Sequence, residues 1–326
     1  MVKNKVLYIL EQNKGTVVSG GQLACQLKVS RNAIWKSIRS LQAEGNLIVS
    51  IPNKGYMLKD ENDSLLETTI LDKLNTSFVG KRIKLLSSTT STIQYLKEMD
   101  TTNSENGFVV IADEQTKGRG RRGREFLSPK GEGVYFSILL KVDRNAQDIR
   151  LLTICAAVAV SKALENLLDI RAEIKWVNDI YLGGKKVCGI LTEAVLSGEL
   201  QELDTVIVGI GLNTGKVPES LQDIATSIKD STGVCGIRND LVAEILNQFE
   251  ETYLSYTSRK MKESILAYYE SRLFIIGQRI EVENLGRNFS ATVLGIDDAG
   301  GLIVQDENNV VSCIISGEIK LSSRKK

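Results

Sequence analysis

Lys117-Gly118-Arg119-Gly120-Arg121-Arg122-Gly123-Arg124 places five cations and three glycines in eight residues. Like charge at that density repels, so the segment does not pack as an ordinary helix or strand without an anion to hold it. Its glycines let the backbone come close to a ligand, and arginine offers a planar fork of donors suited to phosphate and carboxylate. Alone, the segment reads equally as a loop over an anionic small molecule or as a solvated nucleic-acid patch. The flanks decide. Gly107-Phe108-Val109-Val110-Ile111-Ala112 before it and Gly133-Val134-Tyr135-Phe136-Ser137-Ile138-Leu139-Leu140 after it read as buried strands. A charged loop slung between two core strands is a ligand site.

Working outward, residues 83–270 form a domain that mixes strands with helices expected at 91–99, 146–168 and 239–256. The second helix is apolar on nearly every face around 151–160, and so is buried. Ser91 and Thr92 stand at the start of the first helix, where hydroxyls cap and can also hold a ligand. Lys175 to Leu182, a turn at Gly183-Gly184 and Lys185 to Glu193 read as a two-stranded hairpin. Alternation then puts Lys175, Val177 and Asp179 on one face, where a charge calls for an opposite partner. Lys186, just before the apolar Val187-Cys188-Gly189-Ile190, can reach a cavity beside the basic loop, while Lys185 reads as a cation that snorkels to water. Val206 to Asn213 reads as a buried strand whose Gly209 and Gly211 allow close backbone approach, with Asn213 offering an amide at its end.

Two nucleotide motifs are excluded. Gly-x-x-x-x-Gly-Lys-Ser/Thr is absent, and the letters Gly118-x-Gly120-x-x-Gly123 precede a strand rather than the helix that a dinucleotide fingerprint requires. The chain has no histidine, which removes imidazole bases, Ser-His and Cys-His nucleophiles and His-built zinc sites. Catalysis must run on lysine, arginine, carboxylates, amides and backbone dipoles. Five dispersed cysteines without metal-ligand spacing indicate free thiols in a reducing compartment. No signal-peptide core and no apolar run of transmembrane length are read, so a cytoplasmic protein without a membrane partner is expected.

At 326 residues the chain has room for two or three domains. Residues 1–60 carry nine basic against three acidic side chains, a local excess hidden by the balanced total. Helical spacing over 2–12, a short helix opened by Ser19, a longer one opened by Ser30 and a hairpin turning at 52–55 give the order of a winged helix-turn-helix, with a small protein-binding α+β domain as the plain alternative. Residues 61–82 read as a linker with one short helix. Residues 271–326 hold short alternating strands that suggest an SH3-like β-barrel. The fold class is therefore multidomain α+β, with a mixed α/β domain at its centre.

Taken in order, these segments resemble the bifunctional biotin–protein ligases that also act as the biotin operon repressor. The likeness covers nearly the whole chain. It rests on Ala112 to Arg124 with Ser128-Pro129, on Lys175-Trp176-Val177-Asn178-Asp179, on Lys186 to Leu191, on Gly209 to Asn213, on Ala225-Thr226-Ser227 and on Gly317-Glu318-Ile319. Ile93 replaces a usual polar amide, Val177 a proline and Phe126 a tryptophan. The resemblance implies a class II synthetase-like ligase domain using ATP and Mg²⁺. In it biotin becomes biotinyl-5′-AMP, and the biotinyl group then passes to a lysine of an apo biotin carboxyl carrier protein. It implies Lys186, Arg119 and Arg122 as catalytic cations and Asp179 as the Mg²⁺ ligand. Biotin and its adenylate would be held by Ser91, Thr92, Gln115, Gly118, Arg119, Gly120, Arg121, Arg122, Gly123, Arg124, Trp176, Asn178, Lys186, Gly189 and Asn213. Operator DNA would be read by Arg31, Asn32, Trp35, Lys36 and Arg39 on a recognition helix and by Asn53 and Lys54 on the wing, with the adenylate as corepressor of a homodimer. The rival readings are a lipoate–protein ligase, a non-enzymatic biotin sensor and a ligase without repression.

Overall fold

The computed structural model describes residues 2–99, 104–142, 149–197, 202–256, 259–284 and 287–321. Helical spacing in the first sixty residues produces α1 (Val2–Gln12), α2 (Gly20–Leu27) and α3 (Arg31–Ala43), followed by the hairpin β1 (Ile48–Ile51) and β2 (Gly55–Leu58). Val6 and Leu10 of α1, Leu23 of α2 and Ile34, Ile38 and Leu41 of α3 close a core of their own with Ile48 and Leu58. Both expected caps form. Ser19 Oγ accepts from Gln22 N at 3.0 Å while Gln22 Oε1 accepts from Ser19 N at 2.9 Å, a capping box. Ser30 Oγ accepts from Ala33 N at 3.2 Å and starts α3. At Gly55 φ is +144° and a Cβ would lie 2.2 Å from Val18 O, so the wing turns against α2 only with glycine there.

The segment after the wing contains the expected short helix, α4 (Glu67–Asp72), and is bonded along its length to the central domain. Leu66 N donates to Asn239 Oδ1 at 2.8 Å, and Asn239 Nδ2 donates to Ser64 O at 3.0 Å. Further on, buried Glu250 accepts from Phe78 N at 2.9 Å and Val79 N at 2.8 Å, and also from Ser77. Desolvation pushes Glu250 up, but these backbone N–H groups outweigh it and hold the carboxyl below its ordinary value. A depressed folded value means stabilisation that is complete above the unfolded carboxylate's pKa and is lost as pH falls through the folded one. Glu250→Gln should therefore lower the melting temperature at neutral pH and flatten its fall below about pH 4.3, the free glutamate value. Thermal melts of both proteins from neutral to acid pH measure this.

Seven strands form the central sheet: β3 (Ile83–Leu86), β4 (Val109–Ala112), β5 (Gly133–Lys141), β6 (Glu173–Lys175), β7 (Asp179–Leu182), β8 (Lys185–Ser197) and β9 (Glu202–Asn213). Their order is β3-β4-β5-β9-β8-β7-β6, with β3 and β4 parallel and every other pair antiparallel. The helices are α5 (Thr92–Glu98), α6 (Ile149–Leu168), α7 (Ile228–Thr232), α8 (Arg238–Tyr256) and α9 (Arg259–Arg272), with α7 and α9 not read from the sequence. β5 is mostly apolar and buried from Gly133 to Leu140, Ser137 included, because both of its faces are covered. Val134, Phe136, Ile138 and Leu140 join the core with α6 and α8, and Leu139 packs in a second core with Ile93 and Leu96 of α5. At 20 residues and a mean hydropathy of 1.6, α6 does reach the length and composition of a membrane span, contrary to the expectation. It is instead the central helix of this core, with Ile154 to Val160 essentially inaccessible.

One expected element is corrected. Lys175 to Leu182 is two antiparallel strands, not one, with Lys175 and Asp179 as cross-strand partners and Val177 in the turn between them. The turn is masked in the sequence because it contains neither glycine nor proline and its one turn-favouring residue, Asn178, stands in a strand-like run. Lys175 and Asp179 still share a face, but across a ladder. The C-terminal strands β10 (Arg279–Asn284), β11 (Arg287–Ile296), β12 (Leu302–Asp306), β13 (Val311–Ile314) and β14 (Glu318–Leu321) form an antiparallel sheet ordered β13-β12-β11-β10-β14. Among the described residues no pair joins β13 to β14, so hydrogen bonding does not close the expected barrel.

Candidate active site

A trough in the central sheet is the base of the site. Gly189 of β8 lies opposite Gly211 of β9, which lies opposite Tyr135 of β5, and Gly209 lies opposite Ser137. These residues face away from α6. Without Cβ atoms the row is hollow, and side chains fill it. A Cβ at Gly211 would lie 2.5 Å from the Phe126 ring and one at Gly209 would lie 2.6 Å from Ile93 Cδ1. In this conformation Ile93 and Phe126 occupy the space that the two glycines of β9 leave. A cavity of about 510 Å³ opens over the trough.

Lys186 supplies the cation at its edge. Its Nζ lies 2.7 Å from Asp179 Oδ1 and would lie 3.2 Å from a Cβ at Gly189. The Asp179 oxygen is buried and meets no donor in hydrogen-bonding geometry, so it keeps a lone pair for another ligand. Lys186 is fixed through its backbone, its N donating to Ile224 O at 3.0 Å and its O accepting from Thr226 N at 2.9 Å. Neighbouring Lys175 also lines the cavity, and burial lowers its ammonium pKa against the opposing pull of Asp179. Asn178 grips β8 from the side, its Nδ2 donating to Ile190 O at 2.8 Å and its backbone O accepting from Ile190 N at 3.0 Å. Trp176 lines the cavity while its Nε1 donates to Gly300 O at 2.9 Å, which pins the turn to the C-terminal module.

The basic loop is a tight hairpin rather than a coil. Phe126 N donates to Gly118 O at 2.9 Å, Gly120 N donates to Arg124 O at 2.7 Å, and a tight turn over Arg121–Gly123, with Arg122 at φ +55° and Gly123 at φ +74°, closes the tip. Its arginines divide. Arg119 and Arg121 line the cavity, and Arg121 donates to Asn178 Oδ1 and Gly317 O, each at 3.3 Å. Burial lowers the Arg121 pKa, with Asp179 opposing. Arg122 lies 2.9 Å from Glu283, and Arg124 bonds Glu318, so the C-terminal sheet holds the hairpin tip. Arg122, Gly118 and Gly123 do not line the cavity in this conformation, whereas Gly120, Arg124, Gly189 and Asn213 do. Asn213 spends its amide on Thr226 O at 3.1 Å. The carboxylates of Glu283 and Glu318 were not read as site residues, because their arginine partners lie about half the chain away.

On the opposite wall Gln115 takes over the start of α5. Ser91 makes no side-chain cap bond; Gln115 Oε1 instead accepts from Thr92 N at 2.9 Å, and Gln115 Nε2 donates to Ser128 Oγ at 2.9 Å. Thr92 Oγ1 lies 2.7 Å from Ser137 Oγ. Ser91, Thr92 and Gln115 therefore form one polar wall of the cavity. In the N-terminal module Arg31, Asn32, Trp35, Lys36 and Arg39 are exposed on the α3 face opposite Ile34 and Ile38, with Arg39 6.0 Å from the Trp35 ring centre. Asn53 and Lys54 are exposed at the wing tip.

The comparisons with known proteins follow this geometry. A family model described as the biotin/lipoate A/B protein ligase family matches residues 85–213, an HTH domain matches 2–57 and the biotin protein ligase C terminal domain matches 275–322. The bifunctional ligase/repressor BirA of Bacillus subtilis (strain 168) is 34% identical over 324 residues, covering 98% of each chain. The chain belongs to the bifunctional ligase/repressor family. The Escherichia coli (strain K12) member is 30% identical over 96% of this chain and 95% of its own. A solved biotin protein ligase from Aquifex aeolicus, in complex with biotin and ATP, superposes with a TM-score of 0.65 at 32% identity, covering 74% of this chain and 99% of that one. As a member of that family the chain is a biotin–protein ligase, with its ligase domain matched at residues 85–213 and a DNA-binding HTH domain at residues 2–57.

Proposed function

We propose that this chain is an ATP-dependent biotin–protein ligase that also represses transcription by binding DNA. The observation that carries the ligase reading is Lys186 beside Asp179 at the edge of a glycine-floored cavity, under a hairpin that brings Arg119 and Arg121 to the same space. Biotin and ATP are both anions, and bringing them together costs electrostatic work that these cations remove. In the first step a carboxylate oxygen of biotin attacks the α-phosphorus, and the bond to the β-phosphate oxygen breaks. The products are biotinyl-5′-AMP and pyrophosphate. In the second step a carrier lysine amine attacks the acyl carbon, AMP leaves and the amine proton passes to solvent. Lys186 and Arg119 stabilise charge on the phosphoryl oxygens, and Arg122 joins them by exchanging Glu283 for phosphate. Ser91, Thr92 and Gln115 hold the polar end of biotin, the trough takes its bicycle once the Phe126 ring shifts off Gly211, and the closed hairpin keeps water from the anhydride.

Mg²⁺ fits as the companion of ATP. Asp179 offers one buried carboxylate oxygen with unused capacity, and Mg²⁺ takes one or two protein carboxylates with phosphates and water completing its shell. Bound there, it would neutralise phosphate charge. The acceptor is an apo biotin carboxyl carrier protein, and the repressor acts in the cytoplasm as a homodimer favoured by the adenylate. For DNA, the exposed α3 side chains meet bases and phosphates while the wing rests on the backbone. Arg39→Ala should weaken operator binding and reduce the slope of log affinity against log salt by about 1, read from binding titrations at several salt concentrations.

The test of the ligase reading incubates the protein with biotin, MgATP and an apo carrier domain and reads the carrier's intact mass. An ATP-dependent gain of one biotinyl group supports it. A gain with lipoate alone moves the chain to lipoate ligation, and no gain with either leaves a sensor without catalysis.

A further inference from the structure

Arg238 is the largest fully buried side chain among the described residues, with 1% of its surface exposed. A buried guanidinium is costly unless every donor is used well, so its partners show what it is for. Nε donates to Gly133 O at 2.8 Å and Nη2 donates to Asp113 Oδ1 at 2.7 Å. Nη1 donates to Asp63 O at 3.0 Å, and the Arg238 backbone N donates to Asp63 Oδ1 at 2.8 Å. Asp113 ends the approach to the ligand hairpin, two residues before Gln115. Gly133 opens β5 on the far side of the same loop, opposite Asn213. One planar group therefore clamps both feet of the 114–132 segment. Its third arm holds the segment that leads back to the DNA-binding module. No other charged side chain joins these three places among the described residues.

We infer that Arg238 is a positioning residue: it sets the spacing of the two feet of the ligand loop, and so the placement of Gln115 and the arginine hairpin over the trough. The inference rests on the ligase reading above. The fork matters as much as the charge, since lysine is a point donor and cannot span Gly133, Asp113 and Asp63 together. Loosening the feet lets the hairpin sample open states, and biotin binding must then reorder it. A merely structural role predicts something else: fewer folded molecules, a lower maximal rate and an unchanged KM.

Full-length Arg238→Met and Arg238→Lys proteins, checked for folding by thermal melts, test this in two assays. Carrier biotinylation should show a biotin KM raised about tenfold in Arg238→Met, the scale of one lost charge-assisted hydrogen bond, with kcat unchanged and Arg238→Lys between it and the wild type. Limited trypsin digestion should cut faster within residues 117–124 of the unliganded variant, with cleavage after Lys54 at the wild-type rate. A KM and a loop-cleavage rate both at the wild-type value in folded variants would overturn the proposal. If Arg238→Met does not fold, Asp113→Asn carries the same expectations, because it keeps the volume and removes the charge partner. A wild-type protein that transfers no biotin would sink the ligase reading, while the ratio of loop to Lys54 cleavage still judges Arg238.

Discussion

Replacing Lys186 with methionine lowers kcat/KM for adenylate formation by ~10²–10³, the loss typical of removing one preorganised donor from a developing oxyanion. The lysine is held by its backbone on both sides, so its position does not depend on its charge. Methionine keeps most of the stem and leaves the trough open, and what disappears is the cation between two anionic reactants. Asp179 is then left without its 2.7 Å partner at the same edge of the cavity, which adds repulsion toward ATP. Stability should change little, because the two side chains are 32% and 22% exposed and the freed carboxylate reaches water. Lys186→Arg should not restore the rate. The ammonium is a compact point charge 2.7 Å from Asp179, and a longer, planar guanidinium does not place its charge at the same spot. Pyrophosphate release in a single turnover measures the effect, and a loss below about threefold, under 1 kcal/mol, would remove Lys186 from the chemistry.

Gly118→Ala is expected to raise the biotin KM about 100-fold or more, with a melting temperature near that of the wild type. The added Cβ would lie 2.3 Å from Phe126 O and 2.8 Å from Ser128 Oγ, and the first of these is a backbone atom that cannot swing aside. That carbonyl belongs to the residue whose N–H closes the hairpin onto Gly118 O at 2.9 Å. Relief of the clash opens the hairpin, displacing the Arg119 and Arg121 side chains and the Ser128 hydroxyl that steadies Gln115. Weakening two or three hydrogen bonds to the ligand at once costs about 2.7 kcal/mol, or 100-fold in affinity. The hairpin lies outside both apolar cores of the central domain, so folding should survive. Isothermal titration with biotin and a thermal melt of the same sample check both halves. An unchanged affinity would show that the hairpin can refold around a side chain at 118.

Much of the architecture was legible because it is encoded locally. Ser19 and Ser30 cap the helices they were read to cap, and Gly183-Gly184, with φ of +55° and +77°, makes the turn between β7 and β8. The run at Gly133 to Leu140, read as a buried strand, is an interior strand of the sheet between β4 and β9. Some signals have two causes, and the structure chooses between them. Gly209 and Gly211 imply a missing Cβ but not what uses the space, and Ile93 and Phe126 fill it. The length and apolarity of α6 do not distinguish a core helix from a span until its neighbours are known. Trp176-Val177-Asn178 turns the chain without glycine or proline, held by Tyr269 Oη donating to Val177 O at 3.0 Å and by Asn178 donating to Ile190 O.

The order of the three modules, the capped helices, the absence of imidazole chemistry and the clustering of cations between two buried strands were determined by the sequence itself. Each depends on neighbours within a turn or a strand, or on composition alone. Only the tertiary structure decided which arginine faces the cavity and which is held by Glu283 or Glu318, that Lys186 lies against Asp179, and that Arg238 joins Asp63, Asp113 and Gly133. Those partners stand from 7 to 194 residues apart along the chain, and all but the closest pair are set by sheet register and helix packing rather than by local preference.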